Sequence, residues 1–173
     1  MPRGFRFFAV IVITLLVLAL TTLALARKER KLCTEILIDA PPDAVWRTLT
    51  ATRAYPDWNP FIVSLRGTLA AGQKLDVTTR PPGGNEMSFT PVVLAVKSGS
   101  ELAWRGDLFL PGIFTSEHRF RLEPAGEGRT KFLQSEKFTG LLIGPLTNSL
   151  LDRTALGFAE MNLAIKIQTE MRQ

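Results

Sequence analysis

At 173 residues, 46% of them hydrophobic, the chain has room for one core-forming domain and an appendage. Its formal charge of +5 is local: residues 1–31 hold six Lys/Arg against one Glu, and residues 32–173 hold 15 Lys/Arg against 15 Asp/Glu. A domain without net charge gives no ground for a nucleic-acid partner, and a lone cysteine excludes an internal disulfide.

Residues 1–6 are a basic tail carrying Arg3 and Arg6. Phe7–Ala26 then runs 20 residues without a charge, the length a helix needs to cross ~30 Å of hydrocarbon. Residues 27–31, RKERK, read as a juxtamembrane linker suited to an anionic lipid surface. A cleaved signal peptide is the rival reading, because Ala24-Leu25-Ala26 resembles a cleavage site. Against it, the apolar run exceeds the ~7–15 residues of a leader's apolar region and positive charge follows at once. The expectation is a single-pass anchor, with the following domain on the cytoplasmic side because more cations follow the span than precede it. Cys33 reads as a small residue at a strand start.

From residue 32 to 173 the pattern is that of one domain. Leu32–Asp39 alternates as a first strand. Pro42 and Asp43 suit the first turn of a helix whose apolar face is Val45, Trp46 and Leu49. Tyr55-Pro-Asp-Trp-Asn-Pro-Phe61 holds two prolines, so a second helix there must be short. Strands are expected at Phe61–Gly67, Lys74–Arg80, Glu86–Lys97 and Glu101–Phe109, separated by Gly- and Pro-rich turns.

Thr115–Glu123 alternates strictly, with Ser116, His118, Phe120 and Leu122 on one face. Residues 124–129, PAGEGR, are turn chemistry, and Thr130–Phe138 alternates again. A hairpin closed tightly on that turn sets Leu122 opposite Phe132, Phe120 opposite Gln134 and His118 opposite Glu136. The only histidine and an acid would then meet on the covered side of a sheet. From Pro145 to Met171 there is no proline, and Leu146, Leu150, Gly157, Phe158, Met161, Ala164 and Ile165 recur at helical spacing.

These elements predict an α+β architecture. One strand and two short helices precede six consecutive strands, giving a curved seven-stranded antiparallel sheet whose concave face takes a long C-terminal helix. Space left between sheet and helix would be an apolar cavity, where ligands usually go.

The element order, with Tyr55-Pro-Asp-Trp-Asn-Pro-Phe61, Leu102-Ala-Trp-Arg-Gly106, Glu117-His-Arg-Phe120, Gly128-Arg-Thr130, Glu136-Lys-Phe-Thr-Gly140 and Gly157-Phe-Ala-Glu-Met-Asn162, resembles the SRPBCC (START-like) superfamily. More narrowly, it resembles the bacterial polyketide cyclase/dehydrase and lipid transport branch, over about residues 32–171. The resemblance implies a helix-grip fold around a deep hydrophobic cavity for lipids, sterols, polyketides or other apolar molecules. It is informative about fold and says little about chemistry.

The candidate cavity residues are Trp58, Phe61, Trp104, Phe109, Phe114, His118, Phe120, Phe132, Gln134, Glu136, Phe158 and Met161, with Phe138 beside them. Each aromatic also reads as plain core, since aromatic side chains bury large area in either role. His118, held by Glu136, is the candidate general base, and a polar pair orienting a ligand's head group is the other reading. Leu108-Phe-Leu-Pro-Gly-Ile-Phe114 is an apolar loop that would gate the cavity, dip into a bilayer, or fold over the sheet edge. One His, one Cys and dispersed acids give no metal-ligand cluster, and no phosphate loop or nucleophile elbow occurs, so no cofactor is expected. The expected function is a membrane-anchored carrier of a hydrophobic small molecule such as a lipid, quinone or polyketide-like compound. The alternatives are a cyclase or dehydratase acting through His118 and Glu136, and a scaffold whose cavity its own side chains fill.

Overall fold

The computed structural model describes residues 3–25, 28–108, 112–144 and 147–172. Helix α1 (Arg3–Leu25) comes first, then strand β1 (Lys28–Ile38) and helix α2 (Pro42–Thr50). A 3-10 turn (Thr52–Ala54) leads into the four-residue α3 (Tyr55–Trp58). Seven strands follow: β2 (Ile62–Gly67), β3 (Leu75–Thr79), β4 (Met87–Phe89), β5 (Val92–Lys97), β6 (Glu101–Leu108), β7 (Phe114–Pro124) and β8 (Thr130–Gly140). Helix α4 (Asn148–Glu170) closes the chain.

The order of elements follows expectation, with eight strands in place of seven. Residues 86–97 split because Pro91 has no N–H to donate, so pairing stops at Thr90-Pro91 and resumes at Val92. The strands form a five-stranded antiparallel sheet ordered β1-β8-β7-β6-β5 and a three-stranded one ordered β2-β3-β4. A Lys74–Val92 bridge joins them, with Val93 N donating to Gln73 O and Leu75 N to Pro91 O, each at 2.9 Å. The expected six-strand meander is therefore a bent pair of sheets.

The first strand also starts earlier than expected. β1 begins at Lys28, not Leu32, because Lys28–Lys31 pair with Lys137–Gly140 of β8. Glu29 bonds Lys137 at 2.8 Å and Lys31 at 3.2 Å on the outer face, and these two cations hold its carboxyl below the ordinary carboxylate range. What reads in sequence as a linker is strand, and only residues 26 and 27 separate α1 from β1.

Helix α1 covers most of the stretch expected to span a membrane, and its side chains described between residues 8 and 21 are exposed apart from the half-buried Ala9. Side chains near both of its ends lie outside the described residues, and among the described residues no helix is long and apolar enough to cross a membrane.

α4 lies against the concave face with Leu151, Thr154, Gly157, Phe158, Met161, Asn162, Ile165 and Thr169 inward, a three-to-four-residue recurrence. Pro145 and Leu146, expected in its first turn, lie outside the described residues. Its far end is clamped by polar bonds: Asn162 Nδ2 donates to Thr34 Oγ1 (3.0 Å), and Lys166 Nζ donates to Leu37 O (2.9 Å) and pairs with Asp39 and Glu170. These two carboxylates hold the Lys166 ammonium above its usual range, Glu170 first.

Two apolar clusters result. The large one gathers Ile38, Leu49, Tyr55, Phe61, Leu65, Trp104, Phe120, Phe132, Phe158 and Met161, among others. The small one holds Phe114, Phe138, Ile143 and Leu151, where β1 starts and β8 ends.

A candidate ligand cavity with a polar pair

The concave face is ordered in cross-strand rows. From the start of β1 inward they run Lys28–Gly140, then Arg30–Phe138–Ser116–Gly106, then Leu32–Glu136–His118–Trp104, then Thr34–Gln134–Phe120–Leu102. His118 faces Glu136, Phe120 faces Gln134 and Leu122 faces Phe132, the register that a tight hairpin turn requires.

Between the two apolar clusters lies a cavity of about 110 Å³. Phe61, Trp104, Phe114, His118 and Glu136 line it, with Phe138. Phe120, Phe132, Gln134, Phe158 and Met161 do not: they are fully buried core beneath it. Phe109, with residues 110 and 111 of the apolar loop, lies outside the described residues. Trp58 does not line the cavity and packs against the large cluster from α3. It borders a wider groove of about 990 Å³ with Asn59, Arg66, Asp76 and Arg80. That hollow is the larger, but it is the more open and its lining is mainly polar, so the smaller, mainly apolar cavity is the candidate site.

Sequence reasoning passed over Gly106, Ser116, Phe89, Leu150 and Thr154, which also line the cavity. Ser116 and Gly106 were findable, since they share a face with His118 and Trp104. Phe89 was not, because its placement depends on how the two sheets bend together.

The histidine of the pair is packed among rings, and Glu136 is half-buried. His118 is 3% exposed. Its ring stacks on the Trp104 indole, with centroids 5.0 Å apart and planes at 11°, and Phe158 meets it edge-on at 5.0 Å. His118 Nδ1 lies 3.4 Å from Glu136 Oε2 and Nε2 lies 3.2 Å from Gln134 Nε2. An amide nitrogen can only donate, so His118 Nε2 accepts and the ring proton sits on Nδ1, facing the carboxylate. The imidazole lone pair is thus engaged by Gln134 beneath the cavity floor. The cavity itself is offered an N–H and a carboxylate, which together recognise a hydroxyl or other small polar group. Gln134 Oε1, buried, has no partner among the described residues.

Gly157 explains much of the small volume. A Cβ there would lie inside the contact distance of the Phe61 ring, so its absence lets Phe61 press into the sheet–helix space and meet Phe158 at 5.5 Å. Among the described residues no three of His, Cys, Asp and Glu gather to hold a metal.

Residues 29–165 match the profile of the family described as polyketide cyclase / dehydrase and lipid transport. None of the curated proteins matches the chain. Solved structures share the fold at low identity. The Zhui aromatase/cyclase from Streptomyces sp. R1128 superposes with a TM-score of 0.69 at 16% identity, over 84% of this chain and 96% of its own. Norcoclaurine synthase from Thalictrum flavum, in complex with dopamine and hydroxybenzaldehyde, gives 0.65 at 15%, over 87% and 91%. A START superfamily protein from Mycobacterium smegmatis gives 0.62 at 20%, over 83% and 99%.

Proposed function

We propose that this chain, which belongs to the polyketide cyclase/dehydrase and lipid transport family, binds and transfers an apolar small molecule with one small polar end, and does so from a single-pass membrane anchor. The carrying observation is the His118–Glu136 pair set in an otherwise largely apolar cavity lining. Burying such a pair is unfavourable unless something hydrogen-bonds it, and a hydroxyl satisfies both members at once. The anchor reading is supported by the uncharged run of Phe7–Ala26, whose residues up to Leu25 lie in one helix, and by the cations beside it. The asymmetry of those cations supports a cytoplasmic domain.

The cavity of about 110 Å³ is below the ~300 Å³ at which ligand pockets begin. Binding therefore requires the cavity to widen, and Phe114 and Phe138, which join its wall to the small cluster, are side chains whose movement would widen it. An enzyme is the second reading, favoured by the contact between His118 and Glu136. In that reading His118 and Glu136 are the two groups placed to hold or take a proton at the cavity wall.

The full chain, purified in detergent, tests these readings by extraction and mass spectrometry of whatever co-purifies. A reproducible neutral apolar molecule, lost from Glu136→Leu, is the expected result. Consumption of that molecule, abolished in Glu136→Gln with binding retained, would establish the enzyme. An empty protein that takes up no member of a panel of alcohols, sterols and quinones would overturn both and leave a self-filled scaffold.

A further inference from the structure

We infer that the domain loads its cavity from the bilayer that anchors it, through the small apolar cluster, and does not shuttle between membranes. This rests on the anchored-carrier reading and adds where the ligand comes from. It comes from the juxtaposition of the cavity's cap with the anchored end of β1.

The link is covalent and short. From Leu25, the end of α1, to Lys28, the start of β1, there are three Cα steps, at most about 11 Å at 3.8 Å each. That bound holds whichever way the sheet tilts. Strand register then shows what stands at that end. Lys28 pairs with Gly140 and Arg30 with Phe138, and Phe138 lies opposite the cavity residue Ser116. The small cluster is therefore one or two rows from the anchor. The polar pair is level with Leu32, four residues or roughly 13 Å further along β1 at about 3.4 Å per residue. A headgroup layer is about 5–7 Å deep on each side of the hydrocarbon and the link spans at most about 11 Å, so the small cluster is the part of the cavity wall tethered nearest the bilayer, with the pair further along β1.

The surface at that end suits a lipid interface. Leu142 is 45% exposed in the turn after β8. Lys28 Nζ reaches over Gly144 in the same turn, and Arg30 lies on the cavity face at the rim beside Phe138. An apolar rim carrying cations is what an anionic bilayer surface attracts. α4 is pinned by Asn162, Lys166 and Glu170 at its other end, which leaves its first turns as the part free to open. An entering molecule would advance polar end first to His118 and Glu136, with its chain trailing back between Phe114 and Phe138 towards the membrane.

Trp104 reports entry, because it stacks on His118 at the cavity floor. In the full chain with Trp46→Phe and Trp58→Phe, its fluorescence is followed with a monoacylglycerol brominated in mid-chain. The probe is delivered either from phosphatidylcholine/phosphatidylglycerol vesicles holding the protein or from dilute solution. A rigid helical spacer of about 20 residues, roughly 30 Å long, inserted between Ala26 and Arg27, lifts the domain off the surface. Quenching from vesicles should then slow on the order of tenfold or more, through lost effective concentration, while quenching from solution is unchanged. Leu142→Glu, which leaves the link intact, should also slow loading from vesicles only. Equal loading from vesicles with and without the spacer overturns the inference while leaving the carrier reading in place. If Trp104 in the parent chain is quenched by neither route, the carrier reading fails, and this inference fails with it.

Discussion

Gln134 and His118 are a buried polar pair whose energetics can be separated by a double-mutant cycle. His118→Phe keeps an aromatic ring over Trp104 but leaves the Gln134 amide with its oxygen already unpaired and its nitrogen reduced to a 3.6 Å contact with Met161 Sδ. Leaving one buried polar atom unpaired costs about 1–3 kcal/mol, so this variant should lose about that much. Gln134→Leu removes the orphaned oxygen but orphans His118 Nε2, two terms of similar size, and should be close to neutral. The double variant removes every member of the problem except Glu136, which is half-buried and can hydrate. It should recover all of the His118→Phe loss and be as stable as the parent or about 1 kcal/mol more so. For a domain of this size each 1 kcal/mol moves Tm by about 2–4 °C, within reach of thermal unfolding followed by tryptophan fluorescence. Additive losses, or a double variant less stable than His118→Phe alone, would refute the unpaired-amide reasoning. Recovery together with lost uptake of the brominated monoacylglycerol would show a polar pair retained for recognition at the expense of stability.

Burial pushes the phenol of Tyr55, the only tyrosine, far above its usual value near 10, while its hydroxyl donates to Leu49 O at 2.6 Å. Above pH 10 the unfolded chain releases that proton and the folded one keeps it, so stability should fall by up to about 1.4 kcal/mol per pH unit. Alkaline absorbance titration and melts at several pH values check this, and Tyr55→Phe should remove the slope; a phenol titrating near 10 in the folded chain contradicts it. Gly157→Ala should gain about 1 kcal/mol of helix propensity and lose about 1–3 by displacing Phe61, for a net loss and a reduced probe uptake. Net stabilisation would mean Phe61 moves freely. Gly140, at φ 142°, would place a Cβ against the Ile113 carbonyl, so Gly140→Ala should cost more than about 2 kcal/mol and loosen the cap, seen as faster hydrogen exchange at Phe114 and Phe138.

The legible and illegible parts of this chain divide by the range of the interactions that decide them. The β7–β8 register could be read because a single local turn fixes it and the alternation of two adjoining segments confirms it. His118 and Glu136 could be paired for that reason. The inward face of α4 was likewise written in its own spacing. What failed to show depends on partners distant in sequence. Lys28–Lys31 read as a linker until Lys137, more than a hundred residues on, supplies the cation that ties Glu29 to β8 and shows them to be strand. Trp58 and Phe61 sit three residues apart, yet one borders the wider groove and the other the cavity, because Asn59 accepts from the backbone of both Phe61 and Ile62 and turns the chain between them. The volume of the cavity was the least legible quantity of all. Composition counted the aromatics of the concave side, but whether they surround a space or fill it depends on one absent Cβ at Gly157 and the ring that takes its place. Small side chains on the gripping helix thus decide how far a helix-grip interior is occupied by its own protein. Enlarging the cavity should then follow from removing Phe61 rather than any residue of the polar pair: Phe61→Ala should raise uptake of the brominated monoacylglycerol even as it costs about 3–5 kcal/mol of stability. Unchanged uptake in that variant would mean that the cap, and not the ring, limits entry.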